Sequence, residues 1–96
     1  MSPLKEPFRP AEAKKILRAI LASGEVAFTN HALDEMEHDG ISQAEAIGVL
    51  RSGVVEPPEF ERGSWRYRVH TRRTFVVIAF RSEVAAVVVT AWRVVP

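Results

Sequence analysis

Two histidines and a glutamate recur at helical spacing in the segment FTNHALDEMEHDG, residues 28–40. His31, Glu35 and His38 are separated by four and three residues, which places them along one stripe of an α-helix. Imidazole and carboxylate both bind zinc, but the spacing differs from the H-E-x-x-H pattern, and one helix supplies no fourth ligand. We therefore favour an exposed polar stripe over a metal site, and expect no cofactor.

His31 differs from the rest of this stripe because it lies where the extended segment AFT meets the helix. A side chain at such a junction can face across a sheet edge, where an imidazole could exchange protons near neutral pH. It can equally be a residue of the helix start that is held by hydrogen bonds. The sequence leaves both interpretations open.

A second group of candidate residues lies in the basic run RGSWRYRVHTRR, residues 62–73. Strict alternation in WRYRVH predicts a strand with Arg66, Arg68 and His70 on one face, about 7 Å apart, a spacing comparable with successive phosphates of a nucleic acid. Arginines that guard a sheet edge against aggregation are the alternative. We favour contact with nucleic acid because the basic residues exceed what edge protection needs. The candidate RNA-binding residues are Arg62, Arg66, Arg68, Arg72, Arg73 and Arg81.

The charge distribution supports this interpretation. The net charge is only +1, but residues 1–60 carry six Lys or Arg against ten Asp or Glu, a balance of −4. Residues 61–96 carry seven Arg against two Glu, a balance of +5. Arginine has a planar fork that matches phosphate oxygens. A polyanionic partner is therefore plausible.

Length and composition indicate one globular domain, residues 1–96. A chain of 96 residues buries a single core, and 47% hydrophobic with 26% charged residues are ordinary globular values. The chain has no cysteine, which favours a reducing compartment, and its start shows no signal-peptide pattern. We expect a cytoplasmic protein without a membrane segment, and its oligomeric state stays open.

Helical patterns occupy about residues 10–53, and strand patterns about residues 54–95. Three amphipathic helices are expected, and SQAE reads as a capping box in which Ser42 and Glu45 each satisfy the other's backbone donor. Their start and stop signals are Pro10 and Gly24, then Thr29 or Asn30 and Gly40, then Ser42 and Gly53.

The strand half reads as an antiparallel meander. An edge strand at Val54 and Val55 is followed by WRYRVH, TFVVIAF and VAAVVVTAW, the last two joined by a tight turn at residues 81–83. The expected fold is therefore α+β, with N-terminal helices packed on a C-terminal antiparallel β-sheet. The aromatic residues alternate in a way that favours core packing over base stacking: Trp65, Tyr67, Phe75, Phe80 and Trp92.

Five short motifs, FTNHALDEM, GIS, AIGVLRSG, WRYRV and VVVTAW, resemble domain-of-unknown-function family 4258. That family is in turn similar to small α+β toxins and RNases such as RelE, ParE and MqsR, in which one sheet face binds RNA or a partner. The resemblance implies a RelE/ParE-like fold and a possible cognate antitoxin as partner. It marks His31, Arg66 or Arg68, and Thr90 as family positions. Glu35 departs from the pattern, which usually has arginine there.

Two functional hypotheses follow. In the first, the protein is a metal-independent endoribonuclease in which His31 or His70 exchanges protons, Arg66 and Arg68 stabilise the phosphorane, and Thr90 donates a hydrogen bond. In the second, the protein is a non-catalytic domain whose arginine face binds RNA or an acidic protein partner.

Overall fold

A computed structural model describes residues 4–94 of the chain. In chain order the helices and strands are α1 (Pro10–Ser23), β1 (Glu25–Phe28), α2 (Asn30–Asp39), α3 (Gln43–Ser52), β2 (Val54–Val55), β3 (Glu59–Glu61), β4 (Ser64–His70), β5 (Thr74–Ser82) and β6 (Ala85–Arg93). The α+β class is thus confirmed. Within these residues, no helix combines the length and the apolar character needed to cross a membrane.

The helix boundaries agree with the signals in the sequence. Pro10 opens α1, where its missing N–H costs nothing. The hydroxyl of Thr29 caps α2 by accepting a hydrogen bond from the Ala32 N–H at 3.0 Å. Gly40 ends α2 in the left-handed region at φ 68°, which favours glycine.

Only one half of the predicted capping box forms at α3. The Ser42 hydroxyl accepts a hydrogen bond from the Glu45 N–H at 3.0 Å, as expected. The Glu45 carboxylate instead accepts hydrogen bonds from Arg93 and Thr74. The prediction that it returns to Ser42 is wrong, because a guanidinium is the stronger donor for a carboxylate.

The sheet is mixed, with strand order β1-β6-β5-β4-β2. Strands β4, β5 and β6 form the predicted antiparallel meander, and β1 adds to it in parallel with β6, a pairing that the sequence did not predict. The sequence also gave no prediction of β3, which pairs with β4. The tight turn follows Ser82 at Glu83 and Val84, later than the predicted residues 81–83.

All three helices contribute to one core on a single face of the sheet. Leu17 of α1, Met36 of α2 and Leu50 of α3 pack there against strand residues such as Val69 and Val88. Tyr67 is fully buried in this core, where its hydroxyl donates to Glu6 and accepts from the N–H of Phe8, each at 3.0 Å. Burial raises the pKa of the Tyr67 hydroxyl, so it stays protonated as the donor.

The opposite surface of the sheet, which we call the open face, carries the residues that alternate with the core positions. Alternation places Arg66, Arg68 and His70 there, opposite Tyr67 and Val69, as predicted. Phe75 and Trp92 also lie on the open face and are half-buried, so the prediction that they pack in the core is wrong. Tyr67 and Phe80 do belong to the core, and Trp65 packs against it.

Candidate functional site

The strand register brings three of the predicted site residues together on the open face. Arg68 of β4 pairs with Val77 of β5, which pairs with Thr90 of β6. These three residues and Arg66 line one cavity of about 80 Å³. Two guanidinium groups and a hydroxyl therefore converge on a space about as large as two or three water molecules.

Strand β3 brings carboxylates to the same cavity. The two-residue turn at Arg62 and Gly63 has φ of 49° and 81°, the positive values of a tight hairpin turn. The hairpin places Glu61 3.8 Å from the guanidinium of Arg66 and Glu59 3.6 Å from that of Arg68. Both carboxylates are more than half exposed, so these ion pairs are weak and can exchange with other anions.

An aromatic row crosses the open face beside this cavity. His70, Phe75 and Trp92 occupy matched positions on β4, β5 and β6. The rings stack, with centroids 4.7 Å apart between His70 and Phe75 and 5.1 Å apart between Phe75 and Trp92. This stacking holds the three rings nearly parallel on the open face.

His70 is held by a carboxylate at the end of this row. Its Nε2 lies 2.7 Å from Oε1 of Glu56, and its Nδ1 lies 3.4 Å from the carbonyl oxygen of Thr71. A carboxylate that orients an imidazole is a common arrangement for acid/base chemistry. His70 is separated from Arg68 by one residue on the same strand face, and it lines a different cavity, together with Val54 and Arg72.

A second and larger cavity adjoins the first. It has a volume of about 460 Å³ and shares Glu59 and Arg68 with the smaller cavity. Its remaining lining comes from Glu56, the two prolines Pro57 and Pro58, and Phe75. The open face thus has a small charged cavity next to a larger one that is lined by both apolar and charged side chains.

His31 lies in the first turn of α2, which packs along β6. The N–H of Thr29 donates to the carbonyl of Val88 at 3.0 Å, and the Thr29 hydroxyl donates to the carbonyl of Val89 at 3.2 Å. These bonds fix the start of α2 along the edge of β6, close to Thr90. His31 is exposed, while the following Ala32 is fully buried, so the imidazole points away from the core. Strands β6 and β5 separate its helix from the arginines of β4.

The other predicted RNA-binding arginines are exposed at the two ends of the sheet. Arg62 lies in the β3–β4 turn and Arg81 near the end of β5, which the antiparallel pairing brings to the same end. Arg72 and Arg73 lie in the β4–β5 turn at the opposite end, where they line a separate cavity of about 540 Å³ beside α3. The structure therefore spreads these residues along the strands instead of gathering them in one site.

The polar stripe of α2 does not gather into a metal site. Among residues 4–94, no group of three or more His, Asp or Glu side chains is arranged to hold a metal ion. His38 lies 3.1 Å from Asp39, and this hydrogen bond raises the pKa of His38. Glu35, at the position of the family arginine, is half-buried.

The sequence did not predict the role of Arg93. This residue of β6 binds the C-terminal end of α2 and the first turn of α3. Its guanidinium donates to the Glu45 carboxylate, to the Thr74 hydroxyl at 2.9 Å and to the Gly40 carbonyl at 3.0 Å. Its backbone N–H donates to Asp39 at 2.9 Å. Arg93 lowers the pKa of both carboxyl groups and has a raised pKa itself. A lone arginine at the end of an apolar strand was the only signal in the sequence.

Comparison with known proteins supplies the family. The family model described as "Domain of unknown function (DUF4258)" matches residues 28–93, more than two thirds of the chain. No curated protein and no solved structure gives a significant match. The matched segment begins at the end of β1 and includes α2, α3 and both cavities of the open face. The chain therefore belongs to the DUF4258 family of domains of unknown function.

Proposed function

We propose that this protein binds RNA on its open face and acts as a metal-independent endoribonuclease of the RelE/MqsR-like toxin type. One observation carries the proposal: Arg66, Arg68 and Thr90 line a single small cavity on a sheet face that carries no helix of the core. Two guanidinium groups and a hydroxyl are suited to the oxygens of a phosphodiester. An RNA substrate agrees with the cytoplasmic location expected from the sequence.

The reaction requires no group from outside the chain. The ribose 2′-oxygen attacks the adjacent phosphorus, the bond from phosphorus to the 5′-oxygen breaks, and the products are a 2′,3′-cyclic phosphate and a 5′-hydroxyl. Arg66 and Arg68 stabilise the charge that grows on the phosphorane, and Thr90 donates a hydrogen bond to it. Removing one such donor costs about 2.7 to 4 kcal/mol of the barrier.

The two histidines are the candidates for moving the protons. An in-line displacement needs a base at the 2′-oxygen and an acid at the 5′-oxygen, on opposite sides of the phosphorus. His70 lies on β4, two residues beyond Arg68, and His31 lies on α2, which packs along β6, so the two histidines are on opposite sides of β5. This placement on two flanks supports assigning one histidine to each proton, with Glu56 orienting His70.

Incubation of the purified protein with a mixed-sequence RNA in EDTA tests the activity. The expected products carry 2′,3′-cyclic phosphate and 5′-hydroxyl ends, and Arg68→Ala and Thr90→Val should each slow their formation about 100-fold. Arg51→Ala is the matched control, because Arg51 is exposed on α3 at the helical side of the molecule. Absence of cleavage by the parent, or equal cleavage by all three variants, would contradict the proposal.

Binding without cleavage is the second candidate, and the ion pairs of β3 favour it. Arg66 and Arg68 already bind carboxylates, those of Glu61 and Glu59. Acidic side chains of a partner protein, such as a cognate antitoxin, could replace them. This alternative predicts salt-sensitive binding of an acidic peptide and no RNA product, because ion pairing at an exposed surface is screened.

A further inference from the structure

We propose that the larger cavity of the open face binds an unpaired nucleobase, so that the substrate is single-stranded RNA, with a preference for bases that carry an amino group. This inference rests on the proposed RNA binding and specifies the substrate class. The volume of about 460 Å³ lies within the range of small-ligand pockets. It is ample for one base and its ribose.

The apolar lining suits the flat surface of a base. Pro57, Pro58 and Phe75 line the cavity, and Phe75 is held in place by its stacked neighbours His70 and Trp92. Because His70 and Trp92 cover the two faces of Phe75, a base would contact the edge of this ring and the two prolines, and edge-to-face contact is favourable between aromatic groups. The aromatic row thus has a use that core packing does not explain.

The polar lining favours particular bases. Glu56 and Glu59 contribute carboxylates, which only accept hydrogen bonds when ionised. Adenine, cytosine and guanine each present an exocyclic amino group as a donor to such an acceptor. Uracil has carbonyl oxygens in its place, which carboxylates repel, and its one N–H donor on this edge lies between two such oxygens. Uracil should therefore bind weakest.

The position of Arg68 links the base to the phosphate. Arg68 and Glu59 line both cavities, so a nucleotide with its phosphate between Arg66 and Arg68 has its base within reach of the larger cavity. A duplex cannot use this arrangement, because its bases are paired and stacked inside the helix. The two adjacent cavities therefore fit one nucleotide of an unpaired strand.

Fluorescence anisotropy with labelled 12-nucleotide RNAs tests the inference in EDTA. Adenine and cytosine homopolymers should bind several-fold more tightly than the uracil homopolymer, and a blunt duplex of the same length should bind weakest. Phe75→Leu should weaken single-strand binding roughly tenfold without changing its salt dependence. Phe60→Leu is the matched control, because Phe60 is 59% exposed on β3 and contacts Trp65, outside both cavities.

The outcomes separate this inference from the proposed function. Arg68→Ala should weaken all RNAs alike and lower the salt slope by about 0.7. If RNA binds with this dependence on Arg68, but Phe75→Leu has no effect or the duplex binds as well as the single strands, the base site is overturned while RNA binding stands. If the uracil homopolymer binds as tightly as the others, the role of the carboxylates is wrong. If the parent binds no RNA at all, both proposals fail.

Discussion

The guanidinium of Arg66 lies 3.8 Å from the carboxylate of Glu61, so the strand that forms the rim of the small cavity also supplies an anion to it. The same relationship holds between Arg68 and Glu59 at 3.6 Å. A phosphate that enters the cavity must compete with these carboxylates. The hairpin of β3 and β4 therefore sets how readily the open face accepts an anion from outside.

Replacing Glu61 should strengthen RNA binding. Glu61→Gln keeps the size of the side chain and removes the charge that competes for Arg66, and exposed ion pairs contribute up to about 1 kcal/mol. We expect an affinity gain of up to about fivefold at low salt, measured by fluorescence anisotropy. Glu83→Gln is the control, because Glu83 is exposed in the β5–β6 turn. An equal gain in RNA affinity in both variants would show that net charge causes the effect, and not the ion pair between Glu61 and Arg66.

The two flanking histidines should each be needed for cleavage. His31→Ala and His70→Ala remove one proton carrier each, and general acid or base catalysis contributes about 10²- to 10⁴-fold. Single-turnover cleavage of a labelled RNA measures the loss, with melting temperatures to verify folding. His38→Ala serves as the control, because His38 is exposed on the same helix. Parent-like rates in both test variants would remove the histidines from the mechanism.

The ion-pair network of Arg93 should make the fold sensitive to acid. Arg93 holds the pKa of Glu45 and of Asp39 below the usual carboxyl range. Because these folded-state pKa values are lower than the unfolded values of about 4, the stabilisation is present above that pH and is lost as the pH falls through the folded values. The melting temperature should therefore fall as the pH drops below about 5.

A variant isolates the contribution of Glu45 to this acid sensitivity. Glu45→Gln should melt below the parent at pH 7, and the difference should shrink as the pH is lowered, because the parent then loses the same charge. Glu37→Gln, an exposed carboxyl on α2, should show neither effect. A difference in melting temperature that is constant with pH would assign the effect to packing.

Two glycines near α3 should respond to alanine in opposite directions. A Cβ at Gly53 would lie 2.6 Å from the carbonyl oxygen of Val49 and 2.8 Å from that of His70, so Gly53→Ala should destabilise by about 1 to 3 kcal/mol. A Cβ at Gly48 would meet nothing within 4 Å, and alanine in a helix interior should stabilise by about 0.5 to 1 kcal/mol. Urea denaturation measures both changes. Equal effects would show that backbone entropy alone governs the two sites.

Local signals predicted the helices well. The caps at Thr29, Gly40 and Ser42 depend on hydrogen bonds and dihedral angles within a few residues, so their sequence neighbours suffice to identify them. The alternation of β4 also lies within one segment, and it correctly placed Arg66 and Arg68 on the face opposite Tyr67. These features were confirmed because they depend on residues that are close together in the sequence.

Pairings between distant segments were not predictable in the same way. β1 has only four residues, and its partner β6 lies about sixty residues later in the chain. The Glu45 carboxylate binds Arg93, 48 residues away, instead of the backbone N–H of Ser42 in its own segment. Such contacts depend on which segments pack together in the folded chain. A local sequence motif does not specify its distant partner.

The amino-acid sequence by itself determined where the helices begin and end, which strand residues share a face, and that the basic charge concentrates in the second half of the chain. Only the tertiary structure decided which face the helices cover, and hence that Phe75 and Trp92 lie with the arginines outside the core. It also decided that Arg66, Arg68 and Thr90 line one cavity while His31 lies outside it, at the start of α2. The physical reason is that periodicity defines two faces of a strand, whereas burial of one of them depends on helices and strands from elsewhere in the chain.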